Sequence, residues 1–227
     1  METTVNTLLA RIDALEIINK GLTDSRDGNR YNIVKIGEQF WMAENLKYLP
    51  SVVGSGTGSN TEAYYYVYGY NGTSVSAAKA TANYATYGVL YNWISALNAC
   101  PSGWHLSSDA EWQQLEMYLG MPPEQANEEG WRGTDEGGKL KEAGTTHWTA
   151  PNAGANNESG FTALPGGFRD YYDGSFNSIG YDGIWWSSTE YGTSSAWVRG
   201  LGYDNTDVGR YYDYRESGFS VRCVRDN

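Results

Sequence analysis

The sequence predicts an α+β domain built from small antiparallel sheets and long loops. Three observations predict it. Helical spacing of apolar residues is confined to the start and middle of the chain, whereas the last third is made of short runs with strand character between turn residues. Glycine is abundant (28) and proline scarce (6) among the 227 residues, which favours tight turns over rigid linkers. Aromatic residues reach 15%, and large rings fill a core with few side chains. Helices in the middle followed by strands toward the end is an α+β order. No internal repeat of fixed period is visible.

The first element is a helix over residues 3–22. Val5, Leu8, Ile12, Leu15, Asn19 and Leu22 follow alternating three- and four-residue spacing, which is an a/d seam. β-Branched residues at a with leucine at d favour a parallel dimer, and Asn19 at an a position sets register. About three heptads are marginal alone, so residues 1–24 are read as an oligomerising stalk. The competing reading is an amphipathic helix packed on its own domain. Residues 27–227 form the second unit.

Tyr31–Leu46 alternates and reads as a hairpin turning near Ile36-Gly37-Glu38-Gln39. Val52–Asn60 is a Gly/Ser-rich loop, and Ala63–Gly72 is a strand or aromatic loop. Gly88–Ala99 has helical spacing at Val89, Trp93 and Leu97. Ser107–Leu119 is the better helix: Glu111 sits at capping-box distance from Ser108, and Gly120 with Pro122-Pro123 stops it. Glu128–Gly144 holds one or two further helical turns. Strands follow in Gly160–Asp170, Gly180–Glu190, Ser195–Tyr203 and Ser217–Asp226.

A net charge of −11 argues against nucleic acid, which needs a basic footprint, and against anionic membrane surfaces. No run approaches the roughly 18 apolar residues of a membrane span. No basic segment followed by an apolar one opens the chain, so no secretory leader is read there. Cys100 and Cys223 are the two cysteines. They allow one bridge or two buried thiols; a bridge would be worth roughly 4–5 kcal/mol in the chain-entropy model.

Eight of the nineteen tyrosines lie in Leu164–Asn227, among Gly, Ser, Asn and Asp. Tyrosine offers a rigid contact surface with one polar tip, and the small residues offer adaptable hydrogen bonding. A binding surface is therefore expected ahead of catalysis.

Several ordered motifs carry a family resemblance. They include Gly37–Leu46 (GEQFWMAENL), Tyr87–Trp93 (YGVLYNW), Cys100–Leu106 (CPSGWHL), Asp109–Trp112, Gly138–Lys141, Gly160-Phe161, Gly167–Arg169, Trp185–Glu190 and Gly218–Arg225 (GFSVRCVR). Over residues 27–226 the chain resembles the Fibrobacter succinogenes major paralogous domain, common in Bacteroidetes and their phages. The resemblance implies a C-type-lectin-like fold, related to the formylglycine-generating enzymes, with paired terminal strands and a loop-rich ligand segment. It also implies that Cys100 and Cys223 are bridged.

A narrower resemblance is to the variable proteins of diversity-generating retroelements, including phage tail-fibre tips. It implies a framework of Ala196-Trp197, Arg199, Leu201 and Arg210. Between these stand Val198, Gly200, Gly202, Tyr203, Asp204, Asn205, Asp207, Gly209, Tyr211, Tyr212 and Asp213, all reachable from mutated AAC codons. These eleven are the expected ligand residues, with Tyr203, Tyr211 and Tyr212 as anchors. The alternative is an undiversified surface domain of the same fold.

Catalytic signals are weak. His105 and His147 are the only histidines, and a thiolate–imidazole pair would need alignment and an orienting third group. Neither a phosphate-binding glycine loop nor HExxH or GxSxG occurs. Acidic pairs such as Asp170 with Asp173 read as solvated surface. Calcium suits oxygen-rich loops, but Ala150-Pro151-Asn152 lacks the acidic ligand of lectin calcium motifs, so neither cofactor nor metal is expected. Of Trp185 and Trp186, one is expected in the core and one near the display face. Arg169, Arg199 and Arg222 are expected to pin loops through carboxylates.

The sequence thus points to a non-enzymatic protein that binds a cell-surface protein or glycan, outside the cell on a phage particle or bacterial surface. A homo-oligomer is expected: the a/d seam favours a dimer, whereas the resemblance to fibre tips implies a trimer, which is placed ahead of it. Competing readings are a surface lipoprotein domain, a glycan-binding accessory module and a formylglycine-type enzyme.

Overall fold

In a computed structural model, helix α1 (Glu2–Lys20) stops where Gly21 adopts a φ of 63°, a left-handed conformation that glycine adopts without steric cost. The model describes the backbone of residues 2–226 and the side chains of residues 11–226. Val5 and Leu8 of the expected seam therefore have side chains outside the described residues. Ile12, Leu15 and Asn19 are exposed, while Ile17 and Leu22 pack against the core. After α1, β1 (Leu22–Thr23) pairs with β2 (Arg30–Tyr31). Between them Arg26 Nη2 donates to the buried Asp24 at 2.7 Å.

β3 (Ile33–Ile36) and β4 (Gln39–Met42) form the expected hairpin, with Ile36 opposite Gln39 and Gly37 at φ 62°. β5 (Tyr65–Tyr66), α2 (Val75–Lys79) and α3 (Ala82–Tyr87) follow. The helix expected over Gly88–Ala99 is instead a strand, β6 (Leu90–Tyr91), and one short helix, α4 (Trp93–Ala96). Tertiary demands override the spacing there. Gly88 holds a φ of 80°, with the Leu46 carbonyl where a Cβ would stand. The Asn92 side chain caps α4 while also accepting from the Tyr64 N–H at 2.9 Å.

β7 (Trp104–Leu106) precedes α5 (Asp109–Leu119), whose Ser108–Glu111 capping box is complete and whose C-cap is Gly120. Next come α6 (Pro123–Ala126), β8 (Gly130–Arg132) and α7 (Glu136–Leu140). The chain then becomes sheet: β9 (Gly166–Arg169), β10 (Phe176–Ile179), β11 (Asp182–Tyr191), β12 (Ser195–Gly202), β13 (Val208–Tyr214) and β14 (Cys223–Arg225). β10 and β13 were not expected as strands.

One sheet has the order β10-β9-β11-β12-β13-β8, antiparallel except between β9 and β11. A second, β3-β4-β14-β7, sets the last strand between the N-terminal hairpin and β7. A disulfide joins Cys100 to Cys223 across a sequence separation of 123.

Two cores lie on the two sides of β11. Trp186 enters one with Tyr91, Val198 and Phe219; Trp185 enters the other with Trp41, Trp112 and Phe161. The tryptophan pair does point to opposite sides, but both rings are fully buried. The expectation of one display-face tryptophan is corrected, because Phe219 and Tyr91 cover the second side.

Of the three arginines expected on carboxylates, only Arg199 meets them. Arg169 donates to the Ser55 and Glu216 carbonyls. Arg222 donates to the carbonyls of Met42, Phe161 and Thr162 and to Asn45 Oδ1. Its burial pulls its pKa down to about 9 against the opposing charge of Glu44.

Candidate functional site

The expected ligand residues lie on the β12–β13 pair and its connecting loop, and strand register sorts them by face. Successive strand residues point to opposite sides. Val198 lies opposite Tyr211, Gly200 opposite Gly209 and Ala196 opposite Asp213. Trp197 lies opposite Tyr212 and Arg199 opposite Arg210. Neighbouring strands extend the first row with Ile184 opposite Gly200, Asp182 opposite Gly202 and Trp131 opposite Gly209.

The face bearing Trp197, Arg199 and Arg210 is covered by α5, and β8, next to β13 in the same sheet, adds Arg132 to it. Arg199 donates to Glu116 at 2.6 Å and to Asp109 at 2.7 Å. Arg210 grips both oxygens of Asp109, at 3.0 and 2.9 Å, with its guanidinium carbon 3.6 Å from the centre of the Trp197 ring. Arg132 donates to the other oxygen of Glu116 at 2.7 Å. All five charged groups are buried. Burial drives the Asp109 carboxyl upward, but its bonds to Arg210 and Arg199 hold it below the usual range. At Glu116 burial wins and the pKa is raised; Arg132 falls to about 10 for the same reason. Such a network is a poor source of net stability, yet costly to break.

The opposite face is open only in part: Ala196, Val198 and Trp186 are buried in the first core, and the remainder is a groove. A groove of about 230 Å³ is lined by Trp131, Asp182, Ile184, Val198, Gly200, Leu201, Tyr211, Asp213 and Phe219. Its floor is made by Gly200, where an added Cβ would meet nothing within 4 Å. Gly200, Gly202 and Gly209 are not among the glycines with positive φ. What they supply is therefore the absence of a side chain, not a backbone conformation. Trp131 and Tyr211 wall the groove edge to face, 5.9 Å apart, and are 45% and 38% exposed. Asp182 and Asp213 are both raised, chiefly by burial; Asp204 adds to the first and Asp170 to the second.

The loop between β12 and β13 carries Tyr203, Asp204, Asn205 and Asp207. Tyr203 is half-buried and packs edge to face on Tyr181, 5.1 Å away. The buried Lys141 Nζ donates to the Gly202 and Asn205 carbonyls, each at 2.8 Å, and so fixes the loop from below. Burial lowers its pKa to about 8 against the pull of Asp204.

This geometry divides the expected set between two faces. Tyr212 does not share a face with Tyr211: it stacks on Tyr191 at 3.8 Å on the opposite side. Val198 is only 4% exposed, since Phe219 and the ring of Tyr211 close over its row, so it serves as wall and not as contact tip. The sequence reading missed Trp131, Asp182, Ile184 and Phe219 as groove residues. For Asp182 and Ile184 a signal existed, because both stand in phase with Trp186 and out of phase with Trp185. For Trp131 and Phe219 there was none, since only the sheet order brings β8 and the chain before β14 to this face.

The candidates for catalysis are tied up elsewhere. Both cysteines are in the disulfide. His105 lies 2.7 Å from Glu111 through Nε2 and 2.7 Å from Asp226 through Nδ1. His147 faces Glu142 at 2.9 Å. Asp170 and Asp173 accept backbone N–H bonds from Tyr172 and Ser175 within one turn.

Among known families, the Fibrobacter succinogenes major domain matches residues 34–225, most of the chain. No curated protein and no solved structure matches it.

Proposed function

Since this chain belongs to the Fibrobacter succinogenes major domain family, we propose that it is a non-enzymatic binding protein whose ligand enters the groove on the open face of β11–β12–β13. One observation carries this reading. Side-chain alternation sends the framework residues Trp197, Arg199 and Arg210 into the closed face and Gly200, Gly209, Tyr211 and Asp213 onto the open one; of the remaining framework residues, Ala196 is buried opposite Asp213 and Leu201 borders the groove. Exposed aromatic walls over a vacant glycine floor suit recognition. The engagement of both thiols in a disulfide supports binding over thiol chemistry.

The finer reading is a C-type-lectin-like display domain, diversified by a retroelement, exposed on a phage particle or bacterial surface and directed at a protein or glycan. It is supported by the paired terminal strands and by glycines that the backbone does not demand. Ile12 and Leu15, 43% and 58% exposed on α1, support a stalk joining copies of the chain, trimer ahead of dimer, which multiplies weak contacts by avidity. Light scattering tests the stalk: a monomer at micromolar concentration ends it. Sequencing many gene copies tests the diversification. Variation confined to codons 198–214 supports it, with open-face positions varying more than Trp197, Arg199 and Arg210. Uniform codons leave an undiversified adhesion domain.

A further inference from the structure

The groove has a charge pattern that narrows its ligand. Its lining contains two carboxylates, Asp182 and Asp213, and no lysine, arginine or histidine. Neither carboxylate takes part in an ion pair among the described residues. The five cation–carboxylate contacts nearest this sheet all lie on the closed face or at its edge, through Arg132, Arg199, Arg210 and Arg215. Asp182 stands opposite Gly202 and Asp213 opposite Ala196. The two therefore mark opposite ends of β12, roughly 20 Å apart at about 3.3 Å per residue. Between them the lining is apolar and aromatic.

We infer that the groove receives an extended basic segment of a partner protein, with an arginine or lysine near each end. The inference rests on the reading of the groove as the binding site. The spacing fits about six residues of extended chain. Each cation meets one carboxylate, and the chain between crosses the glycine floor, where backbone can approach closely. Trp131 and Tyr211 present ring faces and edges suited to the stem and head of such side chains. Asp170 and Asp204 add negative potential beside the two carboxylates, which steers a cationic partner inward.

The test uses the full chain labelled with nitrogen-15 and three probes. These are a six-residue peptide with arginine at both ends and Gly/Ser between, the same peptide with glutamate ends, and the neutral sugar maltohexaose. The arginine peptide is expected to shift the Trp131 indole and the Gly200 and Gly209 amides; the glutamate peptide is not. Asp182→Asn with Asp213→Asn is expected to weaken binding about tenfold or more, as loss of two charge pairs should. Asp182→Asn alone gives a smaller loss, and serves if the double variant misfolds. Equal binding to wild type and variants overturns the inference, as does an arginine peptide that leaves the groove signals unmoved. Maltohexaose in the groove regardless of Asp182 overturns the cationic ligand but keeps the groove. Probes gathering at Tyr191 and Tyr212 instead remove the groove as the site.

Discussion

The two faces of the β12–β13 hairpin are made by the same residues taken alternately, yet they are built to opposite rules. On one, Trp197, Arg199 and Arg210 are locked by Asp109, Glu116 and Arg132 into a buried network in which each guanidinium has a carboxylate. On the other, Gly200 leaves empty space beside Trp131 and Tyr211, and the Tyr211 ring lies over Gly209. The difference teaches how one hairpin can separate stability from recognition. A side chain on the open face can change without touching the closed one, because the backbone lies between them.

The largest test of this contrast is at Glu116. Glu116→Gln leaves Arg199 and Arg132 facing a neutral amide in the core. It is expected to cost about 3–5 kcal/mol, a fall of roughly 10 °C in Tm by thermal circular dichroism. A fall of only a degree or two would mean that the network is not what holds the closed face. Tyr212→Ala comes next. It removes the ring stacked on Tyr191 and is expected to cost about 0.5–1.5 kcal/mol beyond lost area, while arginine-peptide shifts at Trp131 stay unchanged. Their loss would put Tyr212 back in the binding site.

Gly200→Ala should do the reverse. Its Cβ enters open space at an ordinary strand φ, so stability is expected to stay within about 0.5 kcal/mol while groove binding falls. A large drop in Tm would show that the floor is packed and the groove is not a site.

The smallest effect is at His105 on β7, which bonds Glu111 in the first turn of α5. Burial would depress the His105 pKa, but hydrogen bonds to Asp226 and Glu111 more than offset it, and the pKa is raised above 6.5. The stabilisation is therefore complete below about pH 6.5 and fades as pH rises through the folded value. His105→Gln should flatten that part of the stability–pH curve; an unchanged curve would show that the bonds are solvent-screened.

Much of the fold could be read directly because its signals are local. The Ser108–Glu111 capping box, the Gly37 turn and the Gly120 helix stop each depend on residues a few positions apart. Gly88–Ala99 failed as one helix because its backbone bonds distant partners: the Val89 N–H donates to the Leu46 carbonyl and the Asn92 N–H to the Tyr64 carbonyl. The binding segment was legible as composition, eleven residues in one stretch, but not as a surface. Reading 198–214 as one display segment hid its strand alternation and placed Tyr212 beside Tyr211.

By itself, then, the sequence determined the α+β class, the family, the two paired cysteines as candidates for one bridge, and the stretch of chain that carries the unusual residues. The tertiary structure alone decided which half of that stretch is buried. A strand has two equivalent sides until something covers one. What covers the closed side is α5, with Arg132 from the neighbouring strand β8, and what walls the open side is Trp131, Asp182 and Phe219, all brought from elsewhere in the chain. Burial is set by those long-range partners, which no local pattern in residues 198–214 encodes.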